Sequence, residues 1–259
     1  MTVGAGALWK GPPRYEPQTP WGAAATLVAT GVVAVGPAVF ALLLIALAGV
    51  VGGPDSKLVR SGADFFSLAT PAGVAIALLI QAASLALVWL FAGRGGERPA
   101  VLRLGGERFP AGLYLASAGL LIGLTAVLEL FLYTTFEIDI FADTAWLREG
   151  LKSPLALGTA LIAIVLAPLW EELTFRGFLL SALAKTPIGF WGGALISNIL
   201  WTSLHGIYSW PGLISVFLAG LILSWLTWRT GSIKPAIFAH AVGNMTALGF
   251  TYAFAPLTV

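Results

Sequence analysis

Seven long apolar runs constrain this chain before anything else does. They fall at 21–51, 65–91, 113–136, 154–183, 188–204, 213–228 and 235–254, separated by polar or Gly/Pro-rich breaks. A helix needs roughly 17–25 mostly apolar residues to cross a bilayer core, and most of these runs meet that length, with 188–204 and 213–228 short. Only 10% of the residues are charged and the mean hydropathy is +0.90, where a soluble domain carries about a quarter charged residues. Strict alternation of apolar and polar residues is absent, which argues against a membrane β-barrel. The fold class predicted is therefore all-α: a polytopic transmembrane helical bundle of about seven spans around a buried polar cavity.

Composition removes several function classes. The chain has no cysteine, so disulfides, thiolate metal sites and a cysteine nucleophile are excluded. A net charge of +2 without a Lys/Arg run gives no footprint for nucleic acid. The first twenty residues contain proline and charge but no apolar core. They do not read as a cleavable signal, and a mobile leader is expected at 1–20. No internal repeat is visible, so the remainder divides into membrane helices at 21–153 and a helical core at 154–259 that carries the polar residues described below.

Positive charge orients a bundle. With seven spans and the N-terminus inside, nine Lys/Arg fall on inner segments and four on outer ones, the fourteenth, Arg176, lying within an apolar run. An inside N-terminus in a bacterial or archaeal cytoplasmic membrane follows as the expected placement.

Ionisable side chains at membrane depth are expensive, and their default reading is functional. The stretch PLWEELTFRGF at 168–178 holds Glu171, Glu172 and Arg176, while Glu129 lies alone in the third run. Residues i and i+4 sit about 40° apart on a helix, so Glu172 and Arg176 are expected to pair. Glu171 points about 100° away, free of that arginine, where a carboxylate can act as general base on water. The only two histidines, His205 and His240, and the amides Asn198 and Asn244 complete the polar set. Asn198 precedes His205 by seven residues, and Trp201 with His205 and His240 with Asn244 repeat the i, i+4 spacing, so each run offers one polar stripe to a common interior. Two chemistries stay open. Glu171, His205 and His240 make a His₂Glu set of the kind that holds a divalent metal such as zinc. Without metal, Glu171 and His205 would activate water while His240 and Asn244 donate to an oxyanion.

Each element also has a bland reading. An i, i+4 Glu–Arg pair is commonly structural, an intramembrane histidine commonly packs, Asn244 alone would be a helix-packing hydrogen bond, and Trp201 a cavity wall. Their combination on three runs, with both histidines used, favours chemistry. One geometric difficulty remains: in this topology His205 and His240 differ in depth by more than about 10 Å. Breaks at Pro168 and at SWPG, residues 209–212, are the places that would relieve it.

These residues resemble the CPBP intramembrane proteases, also called the Abi or CAAX-protease family. EELTFRG at 171–177 matches the EExxxR motif, WTSLHG at 201–206 the second motif, usually FxxxH, and HAVGN at 240–244 the third, HxxxN/D. Trp201 departs from the usual phenylalanine. The resemblance implies an intramembrane endopeptidase acting on a membrane-embedded or lipidated peptide or protein. It further implies Glu171 as principal catalytic glutamate, Glu172 and Arg176 as its paired neighbours, His205 assisting water activation, and His240 with Asn244 stabilising the oxyanion. It leaves the metal open. The alternatives from other classes are a proton-coupled transporter or channel using the same buried cluster, and a catalytically idle membrane scaffold.

Overall fold

A computed structural model describes residues 5–53, 67–94, 96–105 and 108–254. Lys57 and Arg60, used above to count charge, and Phe65 at the head of the second run lie outside the described residues. Among the described residues, nine helices follow a short 3₁₀ turn at Ala5–Leu8: α1 (Ala23–Gly52), α2 (Pro71–Ala92), α3 (Arg98–Val101), α4 (Ala111–Phe136), α5 (Ala145–Lys152), α6 (Ala156–Leu183), α7 (Gly189–Ser203), α8 (Trp210–Thr230) and α9 (Lys234–Phe254). No strand occurs among the described residues.

Five helices, α1, α2, α4, α6 and α8, are long and apolar enough to cross a membrane. The two remaining runs fall short for different reasons. Helix α7 has 15 residues, about 22 Å at the helical rise, against a core of about 30 Å. Helix α9 has 21 residues but carries Lys234, His240 and Asn244, which lower its hydropathy. The expected count of about seven spans therefore resolves into five apolar spans and two helices that carry site residues or lead to them.

Helix α6 is the axis of the bundle. Every residue from 171 to 183 is buried, and α6 supplies side chains to all three apolar clusters. Phe175, Leu179 and Leu183 pack with Leu113, Leu121, Trp201, Leu223 and Ala239. Leu173 and Phe178 pack with Val33, Val88 and Ile233, and Ile162 packs with Val74, Leu147 and Leu248. A helix that is hydrophobic on every side belongs in the middle of a membrane bundle. The outer helices instead expose large apolar side chains such as Val28, Val50, Leu79 and Leu130, which suits contact with lipid rather than water.

The backbone of α6 is not uniform. Two π-helical stretches, Leu161–Leu166 and Glu172–Leu179, flank the short α-turn Ala167–Glu171. Pro168 explains the first. Proline has no N–H to donate and its ring crowds the preceding turn, and the chain widens there, with the Ala167 N–H reaching back five residues to the Ile162 carbonyl. The other expected break is also present. Ser209 caps α8, its Oγ accepting from the Gly212 N–H at 3.3 Å, with Pro211 in the first turn. Asp143 in turn accepts from the Ser209 N–H at 2.6 Å and from its hydroxyl at 2.7 Å, tying the α4–α5 loop to the head of α8.

Residues 5–20 of the leader, expected to be mobile, lie packed across the ends of α6 and α8. Leu8 is buried in the main cluster. Arg229 at the end of α8 donates to the carbonyls of Leu8, Gly11 and Lys10 at 2.8, 3.0 and 2.9 Å. Tyr15 donates to Ser181 at 3.1 Å, and Lys185 to the Thr19 carbonyl at 2.7 Å. Burial pushes the Tyr15 phenol up to about 12, so it stays a donor at neutral pH. Gly231, at φ +70°, closes α8 in the left-handed conformation that frees the chain to turn beneath the Arg14 carbonyl. Arg229→Ala removes the common donor of three buried or half-buried carbonyls and is expected to cost about 2–4 kcal/mol, read as a lowered unfolding midpoint of the detergent-solubilised protein.

Candidate active site

The site forms where α6, α7 and α9 meet. Glu172 and Arg176 pair as their spacing predicts, Nη1 to Oε1 at 3.0 Å, and both are fully buried. Arg176 then closes off its own charge. Its Nη2 donates to Asn198 Oδ1 and to the Gly220 carbonyl, each at 3.3 Å, and its guanidinium lies over the Trp201 ring at 4.2 Å. Asn198 is held by a 2.7 Å bond from its own amide to the Phe217 carbonyl. One cation thus fastens α6 to α7 and α8.

Glu171 takes a different partner. Its Oε2 accepts the Trp201 indole N–H at 2.6 Å, so the residue read as a cavity wall is a hydrogen-bond donor to the candidate base. The phenylalanine usual at this motif position has no such donor. The Trp201 ring also separates the two histidines, with His205 at 5.1 Å and His240 at 5.5 Å between ring centroids, both edge-on. The expected disparity in depth is resolved by the shortness of α7: it ends at Ser203, and the chain turns through residues 204–207, which returns His205 to the indole one turn back.

Hydrogen bonding fixes the ring orientations. His240 Nδ1 lies 3.0 Å from Glu172 Oε1, and its Nε2 lies 3.9 Å from Glu171 Oε2. A carboxylate paired with arginine accepts, so Nδ1–H donates to Glu172 and Nε2 faces Glu171. His205 Nδ1 lies 3.2 Å from the Trp201 carbonyl, which can only accept, leaving Nε2 as the free nitrogen. His205 makes no hydrogen bond or ion pair to either glutamate among the described residues. Beside it, Tyr208 packs edge-on at 5.3 Å. Burial, then the charges of Glu171 and Asp143, push that phenol up to about 12.

Asn244 is drawn elsewhere. Its Nδ2 donates to the Ala163 carbonyl in the first π stretch at 2.8 Å. Glu129 lies on the exposed flank of α4 and joins no ion pair among the described residues. For a metal, the Glu171–His240 approach supplies two groups, and no cluster of three His, Cys, Asp or Glu assembles among the described residues. The side chains as placed do not fit the His₂Glu set, so no step below is routed through an ion.

Two comparisons bear on this arrangement. Residues 153–246, which carry all three motifs, match the family described as type II CAAX prenyl endopeptidase, Rce1-like, consistent with the CPBP resemblance. An uncharacterized 24.3 kDa protein of Escherichia coli is 34% identical over 119 residues, 45% of this chain and 51% of that one. The chain thus spans about half the length of the curated relative it matches. No solved structure matches it.

Gly220 carries no signal in the one-dimensional pattern, yet the site depends on it. A Cβ there would lie 1.7 Å from Asn198 Oδ1 and 2.7 Å from Arg176 Nη2. Gly220→Ala is expected to destabilise by about 1–3 kcal/mol through overpacking. Gly119→Ala, in open space on α4, is expected to leave the unfolding midpoint unchanged or slightly raised. Equal midpoints for the two variants would contradict the packing described.

Proposed function

We propose, from the premise that residues 153–246 are an Rce1-like protease domain of the CPBP family, that this protein is an intramembrane endopeptidase hydrolysing a membrane-associated peptide by glutamate-activated water. The observation that carries the proposal is the division of labour between adjacent glutamates. Glu172 is neutralised by Arg176 and spends its Oε1 on His240, whereas among the described residues Glu171 meets the Trp201 N–H and, at 3.9 Å, the Nε2 edge of His240. A general base must offer a lone pair that water can reach: Glu172 Oε2 has no partner among the described residues but is sealed in a side chain that is 0% exposed, whereas Glu171 is 8% exposed.

In this reading water binds against Glu171, which accepts its proton as the oxygen attacks the scissile carbonyl. His205 offers Nε2 as a second acceptor, since its Nδ1–H is committed to the Trp201 carbonyl. The carbonyl oxygen becomes an oxyanion near His240, which stabilises it as an imidazolium, Nε2–H donating to the oxyanion while Nδ1–H stays on Glu172. Collapse breaks the C–N bond, and the proton held by Glu171 passes to the leaving amine, restoring the carboxylate. A low-dielectric site strengthens each of these contacts. The family match supports a prenylated peptide bearing a C-terminal CaaX sequence as substrate class.

Glu171→Gln keeps shape and removes the base, and is expected to lower kcat on a prenylated CaaX peptide by about 10²–10⁴-fold. Retention of full turnover would sink the assignment. Trp201→Phe keeps a ring between the histidines and removes only the N–H to Glu171; a loss of about tenfold is expected, whereas an unchanged rate would make the indole a wall and nothing more. Exhaustive chelation followed by added zinc is expected to leave turnover unchanged; activity lost to chelator and restored by zinc would assign the role to a metal.

A further inference from the structure

The Asn244 amide lies on a backbone carbonyl whose usual partners are both missing. In an α-helix the Ala163 carbonyl would accept from residue 167. Here the Ala167 N–H reaches Ile162 instead. The next donor in the widened register is residue 168, which is proline and has none. A half-buried helical carbonyl left without a donor is costly, and Asn244 Nδ2 fills the vacancy from the neighbouring helix at 2.8 Å. Resting on the peptidase reading, we propose that Asn244 is a positioning residue: it reads the gap Pro168 opens in α6 and thereby sets the depth of α9, placing His240 one turn away against Glu172 and Glu171.

Several features converge on this register. His240 and Asn244 are four residues apart on α9, so both touch α6 from one face, and each meets it at a π-helical stretch, Glu172 in one and Ala163 in the other. Pro168 lies between the two. A slide of α9 along α6 would break both bonds together. At the second π stretch the Ser197 hydroxyl of α7 donates to the Phe175 carbonyl at 2.8 Å, as a second donor beside the Leu180 N–H. Each neighbouring helix of the site is thus registered on α6 by a side chain reaching into its distorted backbone. A displacement of about 1 Å at a reacting group can cost on the order of 100-fold, so register is enough to make Asn244 essential without any contact to substrate.

The test is a cycle of Asn244→Ala and Pro168→Ala, singly and together. Restoring an N–H at position 168 supplies the Ala163 carbonyl with a donor of its own. Asn244→Ala is expected to lower kcat by about 10–100-fold with KM little changed, and by less than about threefold when added to Pro168→Ala. An equal loss in both backgrounds would mean that the amide acts on the substrate, and would overturn the proposal. A second readout needs neither turnover nor a folded proline variant. The chain has no native cysteine, so spin labels at Leu157→Cys on α6 and Phe250→Cys on α9, both exposed, report the relation of the two helices. Asn244→Ala is expected to broaden or shift their separation by on the order of 2 Å. An unchanged distance distribution would likewise overturn it. Should the wild type cleave no CaaX peptide, the peptidase reading fails while the distance measurement still decides this one.

Discussion

The buried pairing of Arg176 with Glu172 is the interaction on which the rest of the bundle depends. Neither group can be left alone in a dry interior: removing one partner of a buried pair costs about 3–5 kcal/mol, because the other charge is stranded. The structure answers by surrounding one guanidinium with a carboxylate, an amide, a backbone carbonyl and an aromatic face, drawn from three helices. Gly220 must lack a side chain so that its carbonyl can approach, Asn198 must turn its oxygen inward, and Trp201 must present its face. Each requirement follows from placing a full positive charge at that depth. The arginine so held fixes one carboxylate and leaves its neighbour free.

The widened backbone of α6 is part of the same solution. π-helical turns are uncommon and gather at functional sites. Here the second one spans Glu172 to Leu179, the segment that contains the ion pair. A π turn frees carbonyls that an α-helix would satisfy internally, and in a membrane no water stands ready to take them. Asn244 supplies such a donor from α9, and Ser197 of α7 adds a second donor to the Phe175 carbonyl, which the Leu180 N–H already meets. The distortion therefore costs little, and each of these bonds adds a point of attachment between helices in a medium where apolar contact alone gives no preference for one neighbour over another.

Much of this was legible in the sequence, for reasons that can be named. The Glu172–Arg176 pair follows from spacing alone, and the freedom of Glu171 from its 100° offset. The break at Ser209–Gly212 was legible from turn chemistry, and Pro168 announced a distortion without specifying its kind. What spacing could not reach were contacts set by the approach of one helix to another. Trp201 reads as a wall in one dimension because its N–H matters only when Glu171 is placed 2.6 Å away. Gly220 lies in an ordinary apolar run, and only the closeness of Asn198 gives it meaning. The leader looked mobile because its polar, proline-rich composition has no periodicity. It is held largely through its backbone carbonyls, by Arg229 and Lys185, and by the single anchors Leu8 and Tyr15, which form no periodic pattern.

The two helices least able to sit in lipid alone, α7 and α9, are the ones that bear on the site most directly. On the peptidase reading proposed above, this follows from what hydrolysis within a membrane demands. A peptide carbonyl and a water must meet at a depth where both are poorly solvated, and the polar groups that receive them lower the hydropathy of any helix that carries them. The short α7 stops at Ser203, so His205 lies in a turn whose backbone is already irregular, a conformation tolerated where it lines a cavity. Such helices need external support, and α9 gets it by packing along α4, as α7 does by packing on α6 and α8. The apolar spans act as the frame, and the Arg176 cluster sets how far the polar helices can depart from it. On this account the polarity that disqualifies α9 as a span, and the brevity that disqualifies α7, are consequences of the chemistry their residues are placed to perform.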